Sequence, residues 1–237
     1  MFNHLGHFAA AGEALCRSLF LGGVTRRFPS LKFGFMEGGV GWACSLYADL
    51  VEHWEKRNPD ALARVDPARV DRRRLEDLYA RYGDQSVKER LGELLASDAE
   101  AGFDENCTRN DEWARCEIER PEDIRELFVP HFYFGCESDD RINSWAFQDQ
   151  VNPFGARLRI MLSSDLGHWD VPDIAAVVAR AHELVDEGLI TRQDFRDFVF
   201  TNPARFHGSA NPEFFEGTAV ESAARELLLA DRHGAGA

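Results

Sequence analysis

A chain of 237 residues, 44% hydrophobic and with 18 phenylalanines, can bury one sizeable core and sits near the upper size of a single domain. Its net charge of -14 argues against binding a phosphate backbone by bulk charge, so no nucleic-acid partner is expected. The five cysteines (Cys16, Cys44, Cys107, Cys116, Cys136) are odd in number and lack a CxxC, which points to reduced thiols in the cytoplasm and away from a disulfide framework.

At the start, the apolar stretch has no basic flank and is interrupted by Glu13 and Arg17. Neither a signal peptide nor a membrane span is expected there. Phe2-Asn3-His4 reads as the end of a strand. Ala9 to Gly22 has the spacing of a helix closed by Gly22-Gly23. A turn at Pro29-Ser30 leads into an apolar strand over 31–36, and Gly38-Gly39 breaks it before a helix from Val40 to Arg57. The charged segment 59–110 reads as a helical insertion or lid within one domain spanning 1–237. Arg72-Arg73-Arg74, set among Asp71, Glu76 and Asp77, is a solvated helix face.

Beyond it, 131–136 and 158–162 read as strands, with a helix over Glu137 to Gln150 between them. Helices follow over Pro172 to Glu187, Thr191 to Phe200 and Glu221 to Asp231, while "TNPARFHG" reads as a loop. Apolar strands alternating with helices imply βα units and a parallel sheet, buried on both faces.

Each expected strand ends in something polar: Asn3-His4, Glu37, Glu137 and Asp165. Singly these have plain uses, as helix caps, an Asx-turn or a loop hydrogen bond for His168. Together they resemble a site built where βα loops converge. His4 with Asp165 suits a divalent metal, zinc first and manganese second, although no HxH or HExxH completes the ligand set. A nucleotide site is disfavoured, since Gly38-Gly39-Val40-Gly41 lacks the GxGxxG spacing.

Four segments in order, "GGVTRRFPSLKFGFMEGGVGW" (22–42), "FYFGCESDD" (132–140), "MLSSDLGHWD" (161–170) and "FVFTNPARFHG" (198–208), resemble the amidohydrolase-related family typified by aminocarboxymuconate semialdehyde decarboxylase. The resemblance implies a (β/α)8 TIM-barrel fold of which this chain carries the C-terminal half, about four strands. It implies a metal-dependent hydrolase or nonoxidative decarboxylase acting on a small carboxylate or acyl substrate. Asp165 then matches the aspartate that ends the eighth strand, binds the metal and handles a proton. His4 matches the histidine ligand ending the fifth strand. His168 matches the histidine after the "SD" pair, and Glu37 stands where many members have the histidine of "HGG". With the family's first HxH absent, the chain is expected to be truncated, to pair with a missing N-terminal half or to form a homo-oligomer. The alternative is a catalytically incompetent fragment that serves as an oligomerisation or partner subunit.

Overall fold

The computed structural model describes residues 5–66, 69–100 and 113–234. The strand end expected at Phe2-Asn3-His4 lies outside these residues, as does the last part of the 59–110 segment. The chain divides into two compact units, one formed by Met1–Glu52 with Arg115–Ala237 and the other by His53–Ala114.

The larger unit is built on three parallel strands in the order β1 (Phe33–Phe35), β2 (Phe132–Cys136) and β3 (Arg159–Leu162). Phe33 pairs with Phe132 and Phe35 with Phe134, while Tyr133 pairs with Arg159 and Phe134 with Ile160. All five residues of β2 are buried, as a central parallel strand requires. Because side chains alternate along each strand, this register sorts them into two faces.

Phe33, Phe35, Phe132, Phe134 and Ile160 share one face. Against it pack α1 (His7–Leu21), α3 (Gly41–Arg57) and α8 (Glu122–Phe128). Phe128 is the hub, with its ring centroid 4.9 Å from Phe132, 5.3 Å from Tyr47 and 6.0 Å from Phe20. Trp42 meets Phe35 and Phe134 edge-on at 5.5 and 5.3 Å. Edge-to-face pairs of this kind add about 0.5–1.5 kcal/mol each beyond simple burial, which gives the abundant phenylalanines their place.

The opposite face carries Gly34, Tyr133, Gly135, Arg159 and Met161. Helix α11 (Asn202–Ala210) lies against it, so close that a Cβ on Gly34 would stand 2.8 Å from the Phe206 ring. Before α11 come α9 (Val177–Asp186), α10 (Arg192–Arg196) and a π-helical turn over Asp197–Thr201. Helix α9 buries Val177, Ala181 and Leu184, one stripe at helical spacing. Helix α10 opens with a capping box in which Thr191 and Asp194 satisfy each other's backbone N–H. The last helix is α12 (Glu221–Gly234).

The expected half of a (β/α)8 barrel is corrected by this topology. The sheet has three strands and is open. Three strands cannot curve round to close, and the chain between β1 and β2 and after β3 contributes only helices and turns among the described residues. Two local readings also change. In place of a helix over Glu137 to Gln150 there is a 3-10 helix at Arg141–Phe147, capped by Asp140 accepting from the Ile142 N–H. "TNPARFHG" is helical because Pro203 sits in the first turn of α11, where its missing N–H costs nothing.

The smaller unit contains the end of α3 followed by α4 (Pro59–Arg64), α5 (Arg72–Tyr82), α6 (Gln85–Glu89) and α7 (Leu91–Glu100). Asn58, Asp71 and Asp84 cap α4, α5 and α6 by accepting from the N–H of Ala61, Arg74 and Val87. None of these three helices buries a residue, so capping and charge, more than a core, specify them. Among the described residues no helix is long and apolar enough to cross a membrane.

Candidate metal centre

Parallel strands deliver their carboxyl ends to one edge of the sheet, and in open α/β structures ligands bind outside that edge. Here the first charged residues past the strands are Glu37 after β1, Glu137 after β2 and Asp165 after β3. All three line a cleft of about 480 Å³, together with His168, Trp169 and Asp170 on one side and Leu5 to Ala9 on the other.

Asp165, His168 and Asp170 each offer a ligand atom, and these atoms lie within 4.8 Å of one another. His168 Nδ1 is 2.7 Å from Asp165 Oδ1. A neutral imidazole can turn this same Nδ1 lone pair to an ion held together with the carboxylate, in place of the hydrogen bond. Asp165 is partly buried while His168 and Asp170 are exposed.

Two of the non-glycine cleft residues have left-handed backbone. Glu37 has φ of 61° and Asp165 has φ of 52°. Such a conformation costs a non-glycine residue about 1–3 kcal/mol, and it tends to persist where the surroundings need the side chain redirected. In both cases the turn comes directly after a strand and places a carboxylate on the cleft.

The electrostatics are one-sided. Glu37, Glu137, Asp165 and Asp170 line the cleft and, among the described residues, no lysine or arginine does. Burial pushes the Glu137 carboxyl above its ordinary range, and the neighbouring charges of Asp139, Asp165, Asp170 and Asp140 push it further. Oxygen-rich donors with one imidazole suit zinc or manganese, and a cation would relieve the accumulated negative charge. The residues present therefore fit a divalent ion.

Of the residues read from the sequence, Glu37, Asp165 and His168 meet in this one cleft. His4 lies outside the described residues. Asp170 completes the cluster. Its D-x2-H-x-D spacing lies on a loop, where no helical or strand period marks it as a ligand. Glu137 was visible as a strand end, but its environment follows only from the register of three strands. No protein-family model, curated protein or solved structure matches this chain.

Proposed function

We propose that the cleft at the carboxyl ends of β1, β2 and β3 is a divalent-metal site, and that the chain is a metal-dependent hydrolase or nonoxidative decarboxylase with a small carboxylate- or acyl-bearing substrate. The observation that carries this reading is the convergence of Asp165, His168 and Asp170 at the end of β3. The four motif segments that resemble the amidohydrolase-related family support it; the reading concerns their chemistry and not a barrel.

Asp165, His168 and Asp170 would hold the ion, each through one ligand atom. A bound zinc or manganese supplies Lewis acidity and lowers the pKa of its water towards neutrality. Asp165 is the residue placed to take a proton at this edge. Glu137, whose carboxyl burial and acidic neighbours hold above the ordinary range in the ion-free cleft, faces the same space and suits proton transfer with the substrate. Glu37 faces the same space with a second carboxylate.

A second reading has its own observation. Trp169 is 93% exposed and Leu5 70%, both on the rim of the cleft. Apolar side chains displayed beside an open site also suit a contact surface, as in an oligomerisation or partner subunit without activity of its own.

Metal content by elemental mass spectrometry, taken with the oligomeric mass of the purified chain, separates the two. Near-stoichiometric zinc or manganese that Asp165→Ala abolishes supports the metal-dependent enzyme. A metal-free oligomer whose assembly is lost in Trp169→Ala supports the partner subunit and overturns the first reading.

A further inference from the structure

At the other ends of the same strands lies a second cavity, of about 600 Å³. Lys32 enters it from just before β1, Tyr133 from β2 and Arg159 from the start of β3. Arg205 of α11 and Arg232 of α12 close the far side, with Asp231 as the one acidic residue among the lining. Four cations against one anion stand in a chain whose net charge is -14.

Asp231 is already committed. It accepts from Arg205 Nε at 2.7 Å and from Arg205 Nη2 at 2.8 Å, a two-point pairing that holds α11 to α12. Among the described residues, no carboxylate pairs with Lys32, Arg159 or Arg232. Arg159 instead donates to the Tyr133 hydroxyl and stacks over the Tyr133 ring at 5.2 Å. Tyr133 is 1% exposed, and no acceptor among the described residues takes its hydroxyl proton. Lys32 is half-buried, and burial first, then the facing Arg159 charge, lowers its pKa.

Bringing like charges together in a partly dry cavity is unfavourable unless an anion joins them. A buried hydroxyl with a proton to give is the complementary feature for an oxyanion. We propose that this cavity is a second binding site, for a small dianionic oxyanion ligand such as a phosphate monoester or a dicarboxylate. Lys32 and Arg232 supply charge, Arg159 sets the Tyr133 hydroxyl, and that hydroxyl donates to the ligand. The site stands on the amino ends of the strands and is independent of the metal reading of the cleft at their carboxyl ends.

The test is calorimetric titration of the chelator-treated chain with inorganic phosphate and, separately, with succinate, at constant ionic strength in chloride. One saturable site is expected for at least one of the two, and which one binds tells phosphate chemistry from dicarboxylate chemistry. Lys32→Gln should weaken it by about tenfold or more, the scale of one charge-assisted contact. Tyr133→Phe, which keeps the ring and serves as the second variant should Lys32→Gln fail to fold, should weaken it severalfold. Asp165→Ala should bind as the parent does. No saturable binding of either dianion overturns the proposal, and so does binding that neither Lys32→Gln nor Tyr133→Phe changes.

Discussion

Asp165 and His168 hold each other across a single turn of chain. The carboxylate Oδ1 lies 2.7 Å from the imidazole Nδ1, and the His168 N–H reaches back to the Asp165 carbonyl at 3.3 Å. A left-handed φ at Asp165 puts both contacts on the cleft side of β3. The pair is thus set by local backbone before any metal arrives.

From that geometry, His168→Ala should weaken zinc binding by more than about tenfold, since even outer partners of metal ligands are worth about 10–100-fold. Asp165→Ala should abolish binding and leave the far-ultraviolet circular dichroism unchanged. Calorimetric titration with zinc reads both effects. Affinity unchanged in His168→Ala would remove the imidazole from the ligand set.

The strain at Glu37 predicts a trade between stability and function. Replacing a left-handed, exposed glutamate by glycine relieves a backbone penalty, offset in part by glycine's greater freedom when unfolded. Glu37→Gly should raise the free energy of unfolding by about 1 kcal/mol in urea melts, while any metal-dependent turnover falls. A destabilised Glu37→Gly would show that the side chain makes structural contacts worth more than the strain.

Gly23 predicts the opposite sign. Its φ is 68°, and a Cβ there would stand 1.9 Å from the Arg115 carbonyl oxygen. That close approach is where Arg26 of α2 (Val24–Arg27) ties the neighbouring segment, donating to the Cys116 and Glu117 carbonyls at 3.1 and 2.9 Å. Gly23→Ala should cost about 3 kcal/mol, measured by thermal or urea unfolding.

His131 makes stability depend on pH. Burial, then the charge of Lys32, lowers its pKa from the ordinary 6.5, against hydrogen bonds to the Leu127 and Pro29 carbonyls that raise it. The folded chain therefore binds this proton less readily than the unfolded chain. The resulting stability is fully present above 6.5 and is lost as pH falls through the lower, folded value. Urea midpoints across that window should fall with acidification in the parent and fall less in His131→Gln. Equal slopes would assign the pH dependence elsewhere.

Buried thiols should be inert. Cys16, Cys44, Cys116 and Cys136 are buried, and burial alone pushes the Cys44 thiol up to about 12. Thiolate, the reactive form, is then scarce at neutral pH. Iodoacetamide followed by peptide mass spectrometry should leave these four unlabelled in the native chain and label them in urea.

How far the amino-acid sequence reveals this arrangement depends on how local the signal is. The mostly apolar runs 131–136 and 158–162 are strands within a residue of their expected ends, because a short, mostly apolar run flanked by polar residues sits most comfortably inside a covered parallel sheet. Glu37, Asp165 and His168 fall in one cleft because parallel strands send their ends to a single edge. The barrel was over-read: motif order carries no information on how many strands precede or follow, and closure depends on that number. The second cavity could not be read at all, since Lys32, Tyr133 and Arg159 are brought together only by strand register, and Arg205 and Arg232 by the packing of α11 and α12.

One small contact decides how the sheet ends. Ser163 donates to the Cys136 carbonyl, so odd-numbered residues of β3 turn towards β2 and Ile160 turns outward. The Asn202 side chain donates 3.0 Å to that outward Ile160 carbonyl, taking the place a further strand would use. On the far side, among the described residues no strand pairs with the outer edge of β1. At β3 an amide has already terminated the ladder, so a further strand there would have to displace Asn202.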